Sequence, residues 1–366
     1  MSFLVMIAAL MLLILIHEFG HWIVARTLGF STPVFSIGFG KPYLVIGRKW
    51  GTEFRVTPWL LGGYVAIPEL GDESSAKEFM AAHGFDTSGY TYKFHPVWKR
   101  TLVAIAGVAM NVLFALVVTF GLLAAVGKPY ADVKDVFISD VNANPAVTIA
   151  RDAGLQSNDV IVAVDGQAVK SPNALVKLVT AHKGTPAVLT VQRPGESAPR
   201  TITVVPNADG KIGIAIGAHQ ELKFEKVGVG QAAGQSVTYN VDLAKQMLKG
   251  LGMLLHIVPK PADLPDAATE VHGIVAIVQI GATALGFGPY IFIDFLVRIS
   301  MMLAVMNILP VPLLDGGYLL FFGLEKLRGK PLSKQTQSRI LAVFFFLLIG
   351  LMLLGLFNDV FKPVKP

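Results

Sequence analysis

Within an uncharged apolar run near the start of the chain stands His17-Glu18-Phe19-Gly20-His21. On a helix, residues four apart return to nearly the same face. This spacing therefore lets both imidazoles reach one metal ion while Glu18 lies beside them, placed to take a proton from an attacking water. A bare HExxH is short enough to arise by chance, but the setting sharpens it. Ionisable groups inside an apolar helix of membrane length cost about 3 kcal/mol each and default to a functional role. The bland alternative is an interfacial charged patch at a helix end. Two His leave zinc short of a protein ligand, because catalytic sites usually carry about three plus an open position. The best further candidate is Asp315, in Asn307-Ile308-Leu309-Pro310-Val311-Pro312-Leu313-Leu314-Asp315-Gly316-Gly317. There Pro310 and Pro312 break a helix and Gly316-Gly317 keep the backbone bare, which lets a carboxylate turn inward. Asp315 can equally cap the helix that follows, and the two roles are compatible.

The elements that must position these residues follow from composition. Of 366 residues, 53% are hydrophobic and 15% charged, and the mean hydropathy is +0.58. That leaves too little polar surface to clothe a soluble globule and points to a membrane protein. Zero cysteine removes thiolate zinc sites, cysteine nucleophiles and disulfides. The net charge of +6 is not clustered as nucleic-acid binding requires. Apolar stretches long enough to span run from residue 2 to 25, Thr101 to Val126, Tyr290 to Leu314 and Ile340 to Phe357. The first has no positive n-region and no small-x-small cleavage site, so it is read as a span rather than a signal peptide. His272 to Gly288, apolar after its first residue, is expected to be surface-lying or re-entrant.

Orientation follows from short connections. Lys326, Arg328, Lys330, Lys334 and Arg339 face one Glu between Leu324 and Arg339, and nine Lys/Arg lie from Arg26 to Arg100. Both segments are therefore expected on the cytoplasmic side, with both termini outside. Span parity then puts Asp315 and the His pair at one depth. Asp294 and Arg298, four apart, are expected to neutralise one another. Residues 227–257, with Tyr239, Leu243, Met247, Leu251 and Leu254 at helical spacing, read as an amphipathic helix, either surface-lying or packed on the neighbouring domain. His83, His95, His182, His219, His256 and His272 show no mutual ligand spacing.

Between spans two and three, period-2 patterning predicts strands at Val160–Val164, Ala187–Gln192, Arg200–Val205 and Lys211–Ile216, with a helix at Pro172–His182. The loop Gly154-Leu155-Gln156-Ser157-Asn158-Asp159-Val160-Ile161 resembles the PDZ domain of bacterial envelope proteases. Asn158 stands where Gly is usual, a mild change because Asn tolerates a left-handed backbone. The resemblance implies a groove that holds peptide by strand addition or carboxylate capture. Ahead of span two, Phe35-Ser36-Ile37-Gly38-Phe39-Gly40, Tyr43-Leu44-Val45-Ile46-Gly47 and Thr52-Glu53-Phe54-Arg55-Val56 read as short hairpins. An edge strand there could pair with an unwound substrate.

Taken in order, HEFGH in the first span, Leu61-Gly62-Gly63-Tyr64-Val65, Pro96-Val97-Trp98-Lys99-Arg100 and NxxPxxxLDGG in span three resemble the site-2 intramembrane zinc metalloproteases, of the regulator-of-sigma-E type. The resemblance covers nearly the whole chain. It implies Zn2+ held by His17, His21 and Asp315, Glu18 as general base, and Asn307, Asn111, Gly62 and Gly63 on the substrate. Implied partners are single-pass transmembrane proteins, an anti-sigma factor and remnant signal peptides among them, with the lipid bilayer around and a peptide in the PDZ groove. Implied location is a bacterial inner membrane, with the PDZ domain periplasmic. Three departures stand out: Gly107-Val108-Ala109-Met110-Asn111 lacks the family's Pro, His272-Gly273-Ile274 replaces a Gly-Pro pair, and there is room for one PDZ domain rather than two.

The expected architecture is a polytopic α-helical membrane protein with four transmembrane helices, a membrane-associated β-hairpin sheet and one inserted PDZ domain of α+β class. Its parts are the first helix (1–28), the β region (29–72), a linker (73–100), the second helix (101–127), PDZ domain (128–218), an amphipathic and re-entrant segment (219–288), the third helix (289–314), a cytoplasmic segment (315–339) and the fourth helix (340–358).

Overall fold

The computed structural model describes residues 2–41, 43–71, 73–82, 91–144, 146–261 and 271–362; His83 lies outside them. In chain order, helix α1 (Ser2–Thr27) leads into strands β1 (Val34–Phe39), β2 (Leu44–Lys49), β3 (Thr52–Val56) and β4 (Trp59–Ala66). A short 3-10 turn (Pro68–Leu70), α2 (Glu73–Ala82) and α3 (Val97–Ala125) follow. Next come β5 (Lys128–Asp140), α4 (Ile149–Asp152), β6 (Val160–Val164), β7 (Gln167–Ala168), α5 (Pro172–Ala181), β8 (Ala187–Gln192), β9 (Arg200–Val204) and β10 (Ala215–Glu225). The chain closes with α6 (Val229–Leu254), α7 (Ile274–Gly286), α8 (Pro289–Ile308), α9 (Asp315–Arg328) and α10 (Lys334–Phe361). Two compact units result, residues 126–227 and the remainder.

Four helices, α1, α3, α8 and α10, are long and apolar enough to cross a bilayer. Helix α7 has 13 residues, about 20 Å at 1.5 Å per residue, short of the roughly 30 Å hydrocarbon layer. Local chemistry sets the helix ends. Pro289 opens α8, which stops at Ile308, before Pro310 can clash with the preceding turn. The third apolar helix is thus shorter than its apolar stretch, and the residues from Leu309 form a turn with Leu313 at φ +88°. Ser333 caps α10 by accepting from the Thr336 amide.

The four-stranded sheet has the order β2-β3-β1-β4. Strands β2 and β3 form the expected hairpin, but β1 pairs with β3 in parallel and with β4 antiparallel. Strand β4 therefore lies at an edge. One face carries Phe35 and Phe54, ring on ring at 5.6 Å, with Phe54 against Trp22 of α1 at 5.8 Å.

Helix α6 packs within the helical unit: Tyr239, Leu243 and Met247 meet Ala115 of α3 and Val297 and Met301 of α8. Tyr239 donates to Asp294 at 2.6 Å, and Asp294 pairs with Arg298 at 2.8 Å. Thus a third group joins the pair expected to neutralise itself.

In the 126–227 unit the sheet order is β10-β5-β6-β8-β9, with β7 on β6. The strand expected at Lys211–Ile216 starts only at Ala215 and runs on to Glu225, paired along β5 in a long ribbon. Asn158 has φ +72°, the left-handed backbone anticipated for it. Beside it Asp159, fully buried, takes two hydrogen bonds from Arg193, both at 2.8 Å, and one from the Gln156 amide.

Candidate metal centre

His17 and His21 lie one turn apart on the buried face of α1, each 8% exposed. Asp315 arrives from the opposite end of the sequence as the first residue of α9. Its Oδ2 stands 3.1 Å from Nε2 of His17 and 3.3 Å from Nε2 of His21, and the two nitrogens are 3.2 Å apart. These separations match the edge of a tetrahedron with bonds of about 2.0–2.1 Å, an edge of about 3.3 Å. Asp315 Oδ2 is buried and receives no hydrogen bond, an uncompensated acceptor that a cation would satisfy. Among the described residues this trio is the one His/Asp/Glu group that could hold a metal ion.

The surrounding structure fixes each donor. Nδ1 of His21 lies 2.8 Å from the Val103 carbonyl, which can only accept. Nδ1 therefore carries the proton and Nε2 presents its lone pair. Behind His17 sits Asn111 of α3, wholly buried, with its amide nitrogen 3.1 Å from Nδ1 and its oxygen unpartnered. Reversing that near-isosteric amide would offer Nδ1–H an acceptor and select the same tautomer as in His21. Ser300 of α8 in turn donates to the main-chain carbonyl of Asn111 at 3.0 Å. Asn111 thus acts on a candidate ligand from behind.

Gly107 is the feature that sequence reasoning quoted without a role. A Cβ there would fall 2.7 Å from Nε2 of His17 and closer still to Nε2 of His21, so a bare backbone is what lets α3 floor the site. Asn111, one turn further along α3, is consistent with that shared face. The only sequence signal was this spacing of Gly and Asn. Gly316 plays a comparable part at α9: a Cβ would overlap the Ile308 and Leu309 carbonyls, so the turn can close only without one.

Glu18 stays outside the trio. Its Oε2 accepts from the Val65 amide of β4 at 3.0 Å, which ties the carboxylate to the edge of the four-stranded sheet. Gly63 lies beside it, and Gly62, at φ +148°, is backed by the Phe39 ring. Asn307 lies half-buried in the last turn of α8; among the described residues no hydrogen bond joins it to the trio. The other described histidines are engaged elsewhere or apart. His95 bonds Glu69 at 3.0 Å, His182 meets Asp165 at 2.8 Å, His219 meets Asp135 at 2.7 Å and His272 approaches Asp359.

Two imidazoles one helical turn apart, a carboxylate from a distant helix and a neighbouring glutamate outside the set define a candidate metallohydrolase centre built on a membrane-length helix. The model of Peptidase family M50 matches residues 5–351, and the chain belongs to that family. It is 31% identical over 96% of its length, and 93% of the partner's, to a protein of Nostoc sp. named "Putative zinc metalloprotease". It is 27% identical to a protein of the same description from Agrobacterium fabrum, covering 97% and 94% of the two chains. To Metalloprotease MmpA of Caulobacter vibrioides it is 28% identical over 98% and 96%.

Proposed function

We propose that this chain is an intramembrane zinc endopeptidase of the regulator-of-sigma-E type, cutting single-span membrane proteins within or near their transmembrane segments. The observation that carries this reading is the convergence of His17, His21 and Asp315 to within 3.3 Å of one another on a helix of membrane length. Those three residues would hold zinc. When bound, zinc supplies Lewis-acid polarisation of the scissile carbonyl and makes an attacking water more acidic. Glu18 takes the proton from that water and passes it to the leaving amine. The Val65 amide holds the Glu18 carboxylate in place, and the β4 edge offers main-chain groups to a substrate whose helix has unwound.

In this reading the 126–227 unit is a PDZ domain on the periplasmic side of a bacterial inner membrane. The positive segments around residues 26–100 and 326–339 are cytoplasmic. Substrates are an anti-sigma factor already trimmed by another protease, and remnant signal peptides. Purified protein reconstituted with a tagged transmembrane substrate tests the proposal. Wild type cleaves, while Glu18→Gln and chelator-treated wild type lose at least about 100-fold in rate. Cleavage undiminished in either sample would refute the zinc mechanism, and cleavage confined to exposed loops would refute the intramembrane substrate.

A further inference from the structure

One buried ion pair outside the metal centre joins two of the helices that build it. Arg100, in the first turn of α3 and 6% exposed, bonds Glu325 of α9 through both terminal nitrogens, at 3.0 and 2.5 Å. Its Nε donates to the His95 carbonyl at 3.0 Å. The guanidinium lies over the rings of Phe94 and Phe322, at 5.3 and 4.9 Å. His95 is itself held, by Glu69 at 3.0 Å and by stacking on Phe30 at 3.7 Å, and Glu69 also accepts from the Ser31 amide. Arg100 is thus fixed on its edges and on its faces.

The positions of these groups along their helices matter. Arg100 and Gly107 are seven residues apart, so they share a face of α3 about 10 Å from one another. Asp315 and Phe322 are likewise seven apart on α9, with Glu325 a further turn on. The two helices therefore run antiparallel, touching at the Gly107 floor of the metal centre and at the Arg100–Glu325 pair. A planar fork gripping a carboxylate with two parallel bonds fixes distance and rotation together. Nothing else carries a charge-assisted bond between α3 and α9 among the described residues.

Resting on the zinc reading above, we infer that Arg100 and Glu325 are positioning residues that set the register of α9 against α3. That register brings Asp315 Oδ2 to the His pair. The pair acts through Asp315 and touches neither substrate nor metal. The consequence is that metal affinity depends on a contact two to three helical turns from the site, in the way that groups supporting a metal ligand commonly tune binding 10- to 100-fold.

Zinc affinity is measured on the full-length protein in detergent, by competition with a chromophoric chelator, and thermal unfolding is followed on the zinc-free protein. Asp315→Ala, a direct loss of ligand, tests the underlying reading: if it binds zinc as wild type does, the site assignment is wrong. With that loss established, Glu325→Gln is expected to bind zinc at least about tenfold more weakly. The double variant Arg100→Met/Glu325→Leu replaces a buried pair with apolar groups, a change often neutral for stability. It is expected to unfold near the wild-type temperature and still bind zinc weakly, which a merely stabilising latch would not do. Zinc affinity within twofold of wild type in either folded variant overturns the inference. Should the double variant fail to fold, Glu325→Gln decides alone.

Discussion

The 126–227 unit and the helical unit bury different things. In the former, fourteen apolar residues, from Val136 to Ile212, form one continuous cluster, the core of an ordinary α+β fold stabilised by removing apolar surface from water. Among the described residues of the latter, clusters are of three or four residues, and α10 turns nearly all of its apolar length outward. That unit buries its apolar side chains in scattered groups, Met6, Leu13 and Val297 among them, and with them a set of polar ones: Asn111, Ser300, Glu69, Arg100 and Asp359 are at most 6% exposed. In lipid there is little hydrophobic gain from helix association, so close backbone approach and polar contacts specify the packing. The candidate metal centre is assembled from such contacts, and the two regions should therefore fail in different ways.

The largest effect is expected from cutting the apolar core. Leu189, fully buried in β8, replaced by Ala, should lower the stability of the 126–227 unit by about 2–5 kcal/mol. Hydrogen exchange of β6 and β8 should report the loss while zinc content stays at the wild-type level. Next comes Gly107→Ala, the mirror case. A methyl group pressed on both imidazoles should weaken zinc binding about 100-fold, with exchange in β6 and β8 unchanged. If Leu189→Ala released zinc, or Gly107→Ala loosened the core of the 126–227 unit, the distinction between the two units would collapse.

A smaller effect sharpens the comparison by pH. Burial alone would raise the pKa of Asp159, but hydrogen bonds from Arg193 and from the Gln156 amide outweigh it and hold the carboxyl below its ordinary value. The folded unit thus prefers the carboxylate. The resulting stabilisation is complete above the unfolded pKa of about 4 and is lost as pH falls through the lower folded value. Asp159→Asn should cost about 1–3 kcal/mol at pH 7, and its deficit relative to wild type should shrink below about pH 4. A deficit that did not change with pH would remove the ion pair as its cause. The least effect belongs to Lys77→Ala on α2, which breaks an exposed pair with Glu73 and should move thermal stability by less than about 0.5 kcal/mol.

How far all this could be read in advance depended on the range of each interaction. The His pair and Glu18 follow from a helical period of four residues within an unbroken apolar run. Strands β6, β8 and β9 showed local alternation, and Asn158 showed a backbone preference of its own. Asp315 needed more, because spacing left it open between ligand and cap. The structure places it at the start of α9 and against both imidazoles at once. Strand β10 was misjudged at its start because its register is set by β5, some 85 residues earlier, and its exposed charged positions carry little alternation. The parallel pairing of β1 with β3 was equally invisible, since local patterning cannot tell a parallel neighbour from a hairpin partner. Gly107 and the Arg100–Glu325 pair carry meaning only through residues far along the chain: a missing Cβ beside His21, and a carboxylate 225 residues on.

The most direct test of the central claim is X-ray absorption at the zinc edge of the purified protein, with metal content measured on the same samples. Wild type should hold one zinc with two imidazole nitrogens and oxygen at about 2.0–2.2 Å and no sulfur. Glu18→Gln should give the same spectrum, while His17→Ala, His21→Ala and Asp315→Ala should each lose the metal or a scatterer. A spectrum unchanged by removal of any of those three residues, or one altered by Glu18→Gln to the point of metal loss, would contradict the account.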